Sequence, residues 1–445
     1  MKARLWQVLM PVVLMLGGHA MAADHAYTLS NGMRLYVVED HRAPVVLSSL
    51  WYRAGSADEV GGKTGIAHML EHLMFRGTTK NPDGTFMKKV SAAGGQLNAM
   101  TTRDFTMYHE YVTRDQLPLV LSLEADRMTH LTLSPKQFKE EKQVVIEERR
   151  MRVDDKPSAM ALERLTAMAL MNNPYHHPVI GWPTDMQHYQ LADAKAWYKT
   201  WYHPNNAYLV IVGDVQAEKV HQLVQRYFGS IPKVSLPVRK PRKEIEPLGL
   251  KRGLVKLPAK VPQVSMAYFV PTLTNAPHRW VPYALTVLSA IMSSDEASRL
   301  PRVLVREKHV ASGVSSTYQP YQRYQDLFEI HATPSVGGSL SVLEQAIDEE
   351  VEHVQRRNVS RAELKRIKAQ VIAGSVYQQD SLSQRAMNVG VPVTCGLPWQ
   401  TDSHWVSRIE AVTAKQIRWV ASHYLTKDRL SVIYLEPTGK HPLKR

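Results

Sequence analysis

The amino-acid sequence predicts an α+β chain of two related domains, each a mixed, mostly antiparallel sheet packed against helices. Three observations carry that expectation. Short apolar or alternating runs of strand period are interspersed with longer runs of helical period from Tyr27 to Leu435. Between residues 229 and 253 the composition turns to Pro, Lys and Arg without periodicity, which reads as a linker. On its two sides one order of features recurs. Ala194-Lys195, Trp197, Tyr202 and the run Leu209 to Val212 are echoed about 220 residues later by Ala414-Lys415, Trp419, Tyr424 and Leu430 to Leu435. The expected division is a first domain over 23–228, the linker 229–253 and a second domain of the same fold over 254–445.

In chain order, Met33 to Val38 and Val45 to Trp51 are strand-like, and the polar turn Glu39 to Arg42 joins them as a hairpin. A Gly-rich loop through Gly55, Gly61 and Gly62 precedes a helix from about Thr64 to Phe75. A second helix covers Asp83 to Ala93 and stops at Gly94-Gly95. Asn98 to Val112 alternates as a strand pair or one long strand, and Gln116 to Leu131 is helical. Pro135 opens a charged helix running past Arg152, followed by a mixed segment with Pro174 and Pro178. A helix from Ala192 to Trp201, a buried strand Tyr208 to Gly213 and a helix Ala217 to Phe228 close the first half. The second half reads as strand Gln263 to Val270, helices at 279–292 and 300–308, strand Asp326 to Ala332, and helices at 341–355 and 360–378.

The N-terminus carries an export signature: Lys2 and Arg4, an apolar run Leu5 to Leu16, then Ala20-Met21-Ala22. That run is short of the roughly 20 residues that span a bilayer, so residues 1–22 read as a cleavable signal and the compartment as a periplasm. No later stretch has the length and apolarity of a transmembrane helix. One cysteine, Cys395, makes no internal disulfide, so packed cores must hold the fold. The net charge is +14, yet Lys and Arg are dispersed apart from Arg239 to Lys243, and nothing resembles a nucleic-acid footprint. An excess of positive charge outside the cytoplasm points to anionic membrane surfaces or acidic substrates.

The chemistry gathers at His68-Met69-Leu70-Glu71-His72. Residues four apart share a helix face, so both imidazoles can address one ion, while Glu71 lies on nearly the same side. This inverted spacing is a metallopeptidase signature: nitrogen ligands, an open coordination position and a base beside it. A third protein ligand is needed, and the charged helix offers Glu140, Glu141, Glu147 and Glu148. Glu141 and Glu148 are seven apart and share a face; Glu147 is turned by about 100°. His176 and His177, adjacent and beside two prolines, read as surface or packing residues.

The stretch Gly65 to Thr78 closely resembles the pitrilysin-type (M16) peptidases, a family that includes insulin-degrading enzyme and mitochondrial processing peptidase. The likeness continues through Gly94-Gly95, Asn98-Ala99, Thr102, Asp104, Thr106 and Tyr108, then Pro174-Tyr175, Gly181-Trp182, Tyr202 to Ala207 and Ser298-Arg299-Leu300. The resemblance implies one Zn2+ per chain held by His68, His72 and Glu148, with Glu71 as general base and Glu141 supporting the site. It implies that Asn98 and Ala99 lie on an edge strand that pairs with a peptide or unfolded polypeptide substrate. It also implies that the two domains form one half of a clamshell. Arg306, in Arg306-Glu307-Lys308, matches an arginine that reaches the substrate.

The family tyrosine expected after that arginine is absent, and Ser312 stands in its place. Tyr318, another group or a second chain would have to replace it. A dimer is therefore expected, with a second copy or with a homologous subunit lacking the zinc motif. The function so implied is a zinc metalloendopeptidase. A non-catalytic peptide-binding member would carry a broken motif, and here all three ligand positions stand. A non-peptide hydrolase would have no use for a strand that reads peptide backbone.

Overall fold

The computed structural model describes residues 24–439; the expected signal at 1–22 lies outside the described residues. Among the described residues eleven strands form two sheets. In the first, β1 (Asp24–Thr28), β2 (Arg34–Glu39), β3 (Val45–Tyr52), β4 (Gln96–Thr101), β5 (Thr106–Thr113) and β6 (Ala207–Gly213) lie in the order β1-β2-β6-β3-β5-β4. In the second, β7 (Lys251–Leu257), β8 (Gln263–Val270), β9 (Ala311–Tyr318), β10 (Asp326–Pro334) and β11 (Leu430–Pro437) lie in the order β7-β11-β8-β10-β9. Without β1 the two orders superimpose strand for strand. Each sheet has one parallel pair, β2 with β6 and β7 with β11, and is otherwise antiparallel. The fold is therefore the expected pair of related α+β units.

One expected pairing fails. β2 and β3 do not form a hairpin, because β6 lies between them, parallel to β2 and antiparallel to β3. Every residue of β6 is buried, as suits an apolar run that is covered on both faces. Residues 40–44 reach ~16 Å when extended, enough to step over an inserted strand ~10 Å across two sheet spacings. The sequence also hides β7, whose first residues fall inside the stretch read as linker, and β9, whose Gly and Ser content gives little strand signal.

Two helices that sequence periodicity missed join the halves. Helix Pro157–Ala169 belongs to the first half but packs Ala161, Leu165 and Ala169 against Val255, Phe269, Ile433 and Leu435 of the second sheet. Helix Leu382–Thr394 does the reverse, setting Ala386, Val389 and Val393 against Trp51, Tyr208 and Val210. The halves thus exchange equivalent helices across their sheets. Charge pairs reinforce the junction: Arg323, its side chain 11% exposed, donates to Asp104 at 2.8 Å and to Asp58 at 2.9 Å, and Arg103 to Asp326 at 3.0 Å. Among the described residues no helix is long and apolar enough to cross a membrane.

The exchange helix leaves no room at Gly390. Its carbonyl accepts from the Tyr208 hydroxyl at 2.8 Å, and an added Cβ would stand 2.4 Å from the Trp51 ring. Gly390→Ala is expected to lower unfolding stability by about 1–3 kcal/mol through overpacking, despite gaining up to ~1 kcal/mol of helix propensity. A urea midpoint equal to or above that of the unsubstituted protein would show that the close contact is not limiting.

Candidate metal centre

Helix Ile66–Leu73 carries the motif and starts in an unusual way. Gly65 is left-handed, with φ +88°, and has no capping side chain. The Glu59 carboxylate takes over, accepting the backbone N–H groups of Gly65 at 2.7 Å and Ala67 at 2.8 Å. Gly65 also packs backbone to backbone on Gly181: a Cβ at Gly65 would stand 2.3 Å from Ile180 O, and one at Gly181 2.2 Å from Thr64 O. No side chain fits at either position. His177 is buried against the same cap, with Nε2 2.9 Å from Ser56 O and 3.3 Å from Glu59, and is a packing residue as expected.

The charged helix Pro135–Arg149 crosses the motif helix and continues through a wider turn, Arg150–Asp154. Ser134 caps its start by accepting from Gln137 N–H. Arg149 anchors its end, donating to Gly181 O at 2.8 Å and to both oxygens of Glu163 at 2.9 Å. Sequence reasoning passed over Arg149 because one arginine among many charges gives no signal.

Between these helices His68, His72 and Glu148 offer ligand atoms all within 4.8 Å of one another. Glu148 Oε2 lies 3.2 Å from His72 Nε2 and 3.7 Å from His68 Nε2, yet it is buried and receives no hydrogen bond. A buried carboxylate oxygen left unbonded beside two ring nitrogens suits a cation, and two imidazoles with one carboxylate form a donor set suited to zinc. Glu141 sits behind His72, its Oε2 3.1 Å from Nδ1, while Oε1 accepts Arg76 Nε at 2.6 Å. A carboxylate can only accept, so His72 carries hydrogen at Nδ1, and Nε2 is the ring nitrogen that faces Glu148.

The charges are arranged accordingly. Burial opposes a charged His72, but Glu141 and Glu148 outweigh it and push its pKa up to about 9. Burial and the neighbouring His72 push His68 down to about 4. The neighbouring His72, then His68 and Arg152, hold Glu148 below the usual carboxylate range. Glu147 is exposed with its carboxylate 3.2 Å from Arg150, and Glu140 lies 3.8 Å from Arg76, so neither joins the cluster.

Glu71 shares the cavity with this cluster, a space of about 1050 Å³. Thr101 Oγ1 donates to its Oε2 at 2.5 Å; burial nevertheless raises its pKa. Thr101 belongs to β4, an edge strand of the first sheet, and Asn98, Ala99 and Met100 of the same strand line the cavity. Asn98 Oδ1 accepts the Ala99 N–H at 2.8 Å.

The remaining sequence candidates lie elsewhere. Arg306 is exposed in the turn Pro301–Glu307 of the second half and does not line the cavity. Ser312 bonds to Pro334 O at 3.2 Å. Tyr318 is buried, with its hydroxyl donated to Pro271 O at 2.7 Å, which removes it as a replacement for the missing tyrosine.

Residues 34–182, which contain the whole cluster, match the family described as Insulinase (Peptidase family M16); residues 188–371 match Peptidase M16 inactive domain. The chain is 32% identical over 371 residues to zinc protease PqqE of Helicobacter pylori (strain ATCC 700392 / 26695), covering 81% of each. It is 22% identical over 409 residues to the beta subunit of the mitochondrial-processing peptidase of Lentinula edodes, covering 89% of this chain and 86% of that one. Among solved structures, a protease from Helicobacter pylori matches with TM-score 0.88 and 30% identity, over 94% of this chain and 100% of that one. The periplasmic protease PqqL from Escherichia coli shares the fold at TM-score 0.77 and 16% identity, over 93% of this chain and 48% of that one. By the identity and coverage of the Helicobacter pylori relative, this chain belongs to peptidase family M16.

Proposed function

We propose that the protein is a zinc-dependent endopeptidase acting on peptides or unfolded polypeptide segments in the periplasm. The observation that carries this reading is the convergence of His68, His72, Glu148 and Glu71 in one cavity beside an open strand edge. His68, His72 and Glu148 would hold one Zn2+, with Glu141 orienting His72. When bound, the ion polarises the scissile carbonyl and makes water a better nucleophile.

The chain's own groups supply the rest. β4 offers unpaired backbone groups on its outer edge, and an extended peptide added there would run past Glu71. Asn98 and Ala99 would meet the peptide backbone. Thr101 holds Glu71 Oε2, leaving Oε1 to take a proton from the attacking water and pass it to the leaving amine. A carboxylate with a raised pKa is the stronger base for that transfer.

Glu71→Gln should keep zinc and lower cleavage of a quenched peptide by about 10²–10⁴-fold, the usual weight of a general base. Cleavage at the unsubstituted rate would remove Glu71 from the mechanism. Glu148→Gln should bind zinc more weakly by over ~10-fold, at least the loss seen on removing an outer partner. Equal zinc content after dialysis against a chelator would show that the third ligand is another group.

A second reading is favoured by the position of Arg306 and the burial of Tyr318: the site is completed by a second chain that supplies an arginine and a tyrosine. The partner would be another copy or a homologous subunit lacking the zinc motif. Under it, the purified chain at a concentration where it sediments as a monomer is inactive, and activity returns with association. Full activity of the monomer would reject it.

A further inference from the structure

The positive charge of the chain, +14, is not used by the metal centre. A separate cavity of about 590 Å³ lies in the second half, where Leu273, Arg279 and Tyr283 face the segment from Leu397 to Arg408. It shares no lining residue with the metal cavity. Arg279 and Arg408 are its cations, with His404 beside them; all three are exposed, and no acidic side chain lines the cavity. Among the described residues, no carboxylate pairs with any of the three. The nearby Asp402 is turned to Tyr321, whose hydroxyl donates to it at 3.3 Å. Arg279 and Arg408 line the same cavity as the Tyr283 ring; burial and Asp402 raise the Tyr283 hydroxyl, against the pull of Arg408 and Arg279.

The rest of the lining is two uncharged polar residues, Gln400 and Thr401, and an apolar side. Leu273, Leu397, Pro398 and the Tyr283 ring make a surface that water wets poorly. Beside it, Arg279 is flanked by His278 and Trp280, stacked with ring centroids 5.8 Å apart. Trp280 meets Trp419 at 5.1 Å, and Trp419 stacks on His423 at 3.8 Å. Unpaired guanidinium groups bind carboxylate and phosphate oxygens through paired N–H donors. A volume of this size accommodates a small organic molecule.

We propose that this cavity binds an amphiphilic anion, a carboxylate or phosphate group carried on an apolar body. Arg279 and Arg408 hold the charged head, and Leu273, Leu397, Pro398 and Tyr283 cover the body. The site stands independently of the zinc chemistry.

Calorimetric titration of the full mature chain with decyl phosphate, decanoate and inorganic phosphate tests it. Saturable binding of decyl phosphate, weakened at least about tenfold by Arg279→Gln and by Arg408→Gln, is expected for loss of a charge-assisted pair. Both side chains are exposed, and an unchanged thermal transition in each variant separates lost binding from lost folding. Absence of saturable binding of either amphiphile, equal affinity in both variants, or equal affinity for inorganic phosphate would overturn the proposal. Sedimentation with phosphatidylglycerol vesicles, lost in the same variants, identifies a lipid head group as the source. Binding of the soluble amphiphiles without vesicle sedimentation identifies a free acid.

Discussion

The Glu141 carboxylate ties together the two helices that carry the candidate metal ligands His68, His72 and Glu148. One oxygen meets His72 of the motif helix, the other Arg76 just beyond it, while Glu141 itself rides on the charged helix two turns before Glu148. A hydrogen bond between ionised groups is directional and stronger than a neutral one, so it fixes ring orientation as well as helix separation. Without it, Glu148 and the imidazoles would face each other only as well as apolar packing allowed. The other end of the motif helix is equally constrained. Glu59 replaces a missing cap, and Gly65 and Gly181 let two backbones touch where any side chain would hold them apart.

The same logic of paired burial extends to the junction between halves. Arg323 is almost fully enclosed by Asp58 and Asp104, and Tyr175 donates to Asp104 at 2.6 Å. Leaving one partner of such a buried pair alone costs about 3–5 kcal/mol, so these residues resist separation even though the pair adds little net stability. Asp104 lies in the turn of the β4–β5 hairpin, whose Thr101 holds Glu71. Placement of the edge strand β4 is thereby coupled to the second half. The exchange of helices Pro157–Ala169 and Leu382–Thr394 serves the same end through apolar surface, since each sheet is covered on one face by the other half.

The fold class, most helices and the strands with strong alternation were legible in the sequence, because hydrophobic period follows directly from backbone geometry. So was the echo between the halves, which the strand orders bear out once β1 is set aside. The hairpin expected from β2 and β3 was not, because period and turn residues report a strand's direction and not its neighbour. β7, β9 and the exchange helices escaped for a related reason: their pairing or packing partners lie far away in sequence, and Gly313, Gly390 and Pro392 weaken the local signal.

By itself the sequence determined that His68, Glu71 and His72 share a helix face, and that Glu141 and Glu148 share another. Both follow from 3.6 residues per turn. Resemblance to a family, and not spacing, singled out Glu148 from its neighbours. Only the tertiary structure decided that Glu148 Oε2 faces both imidazoles, that Glu141 stands behind His72, and that Arg306 and Tyr318 lie outside the cavity. The physical reason is that spacing fixes a side chain's angle about its own helix. The distance between helices is set by contacts such as Gly65 on Gly181 and Arg149 on Gly181, made by residues remote in the chain.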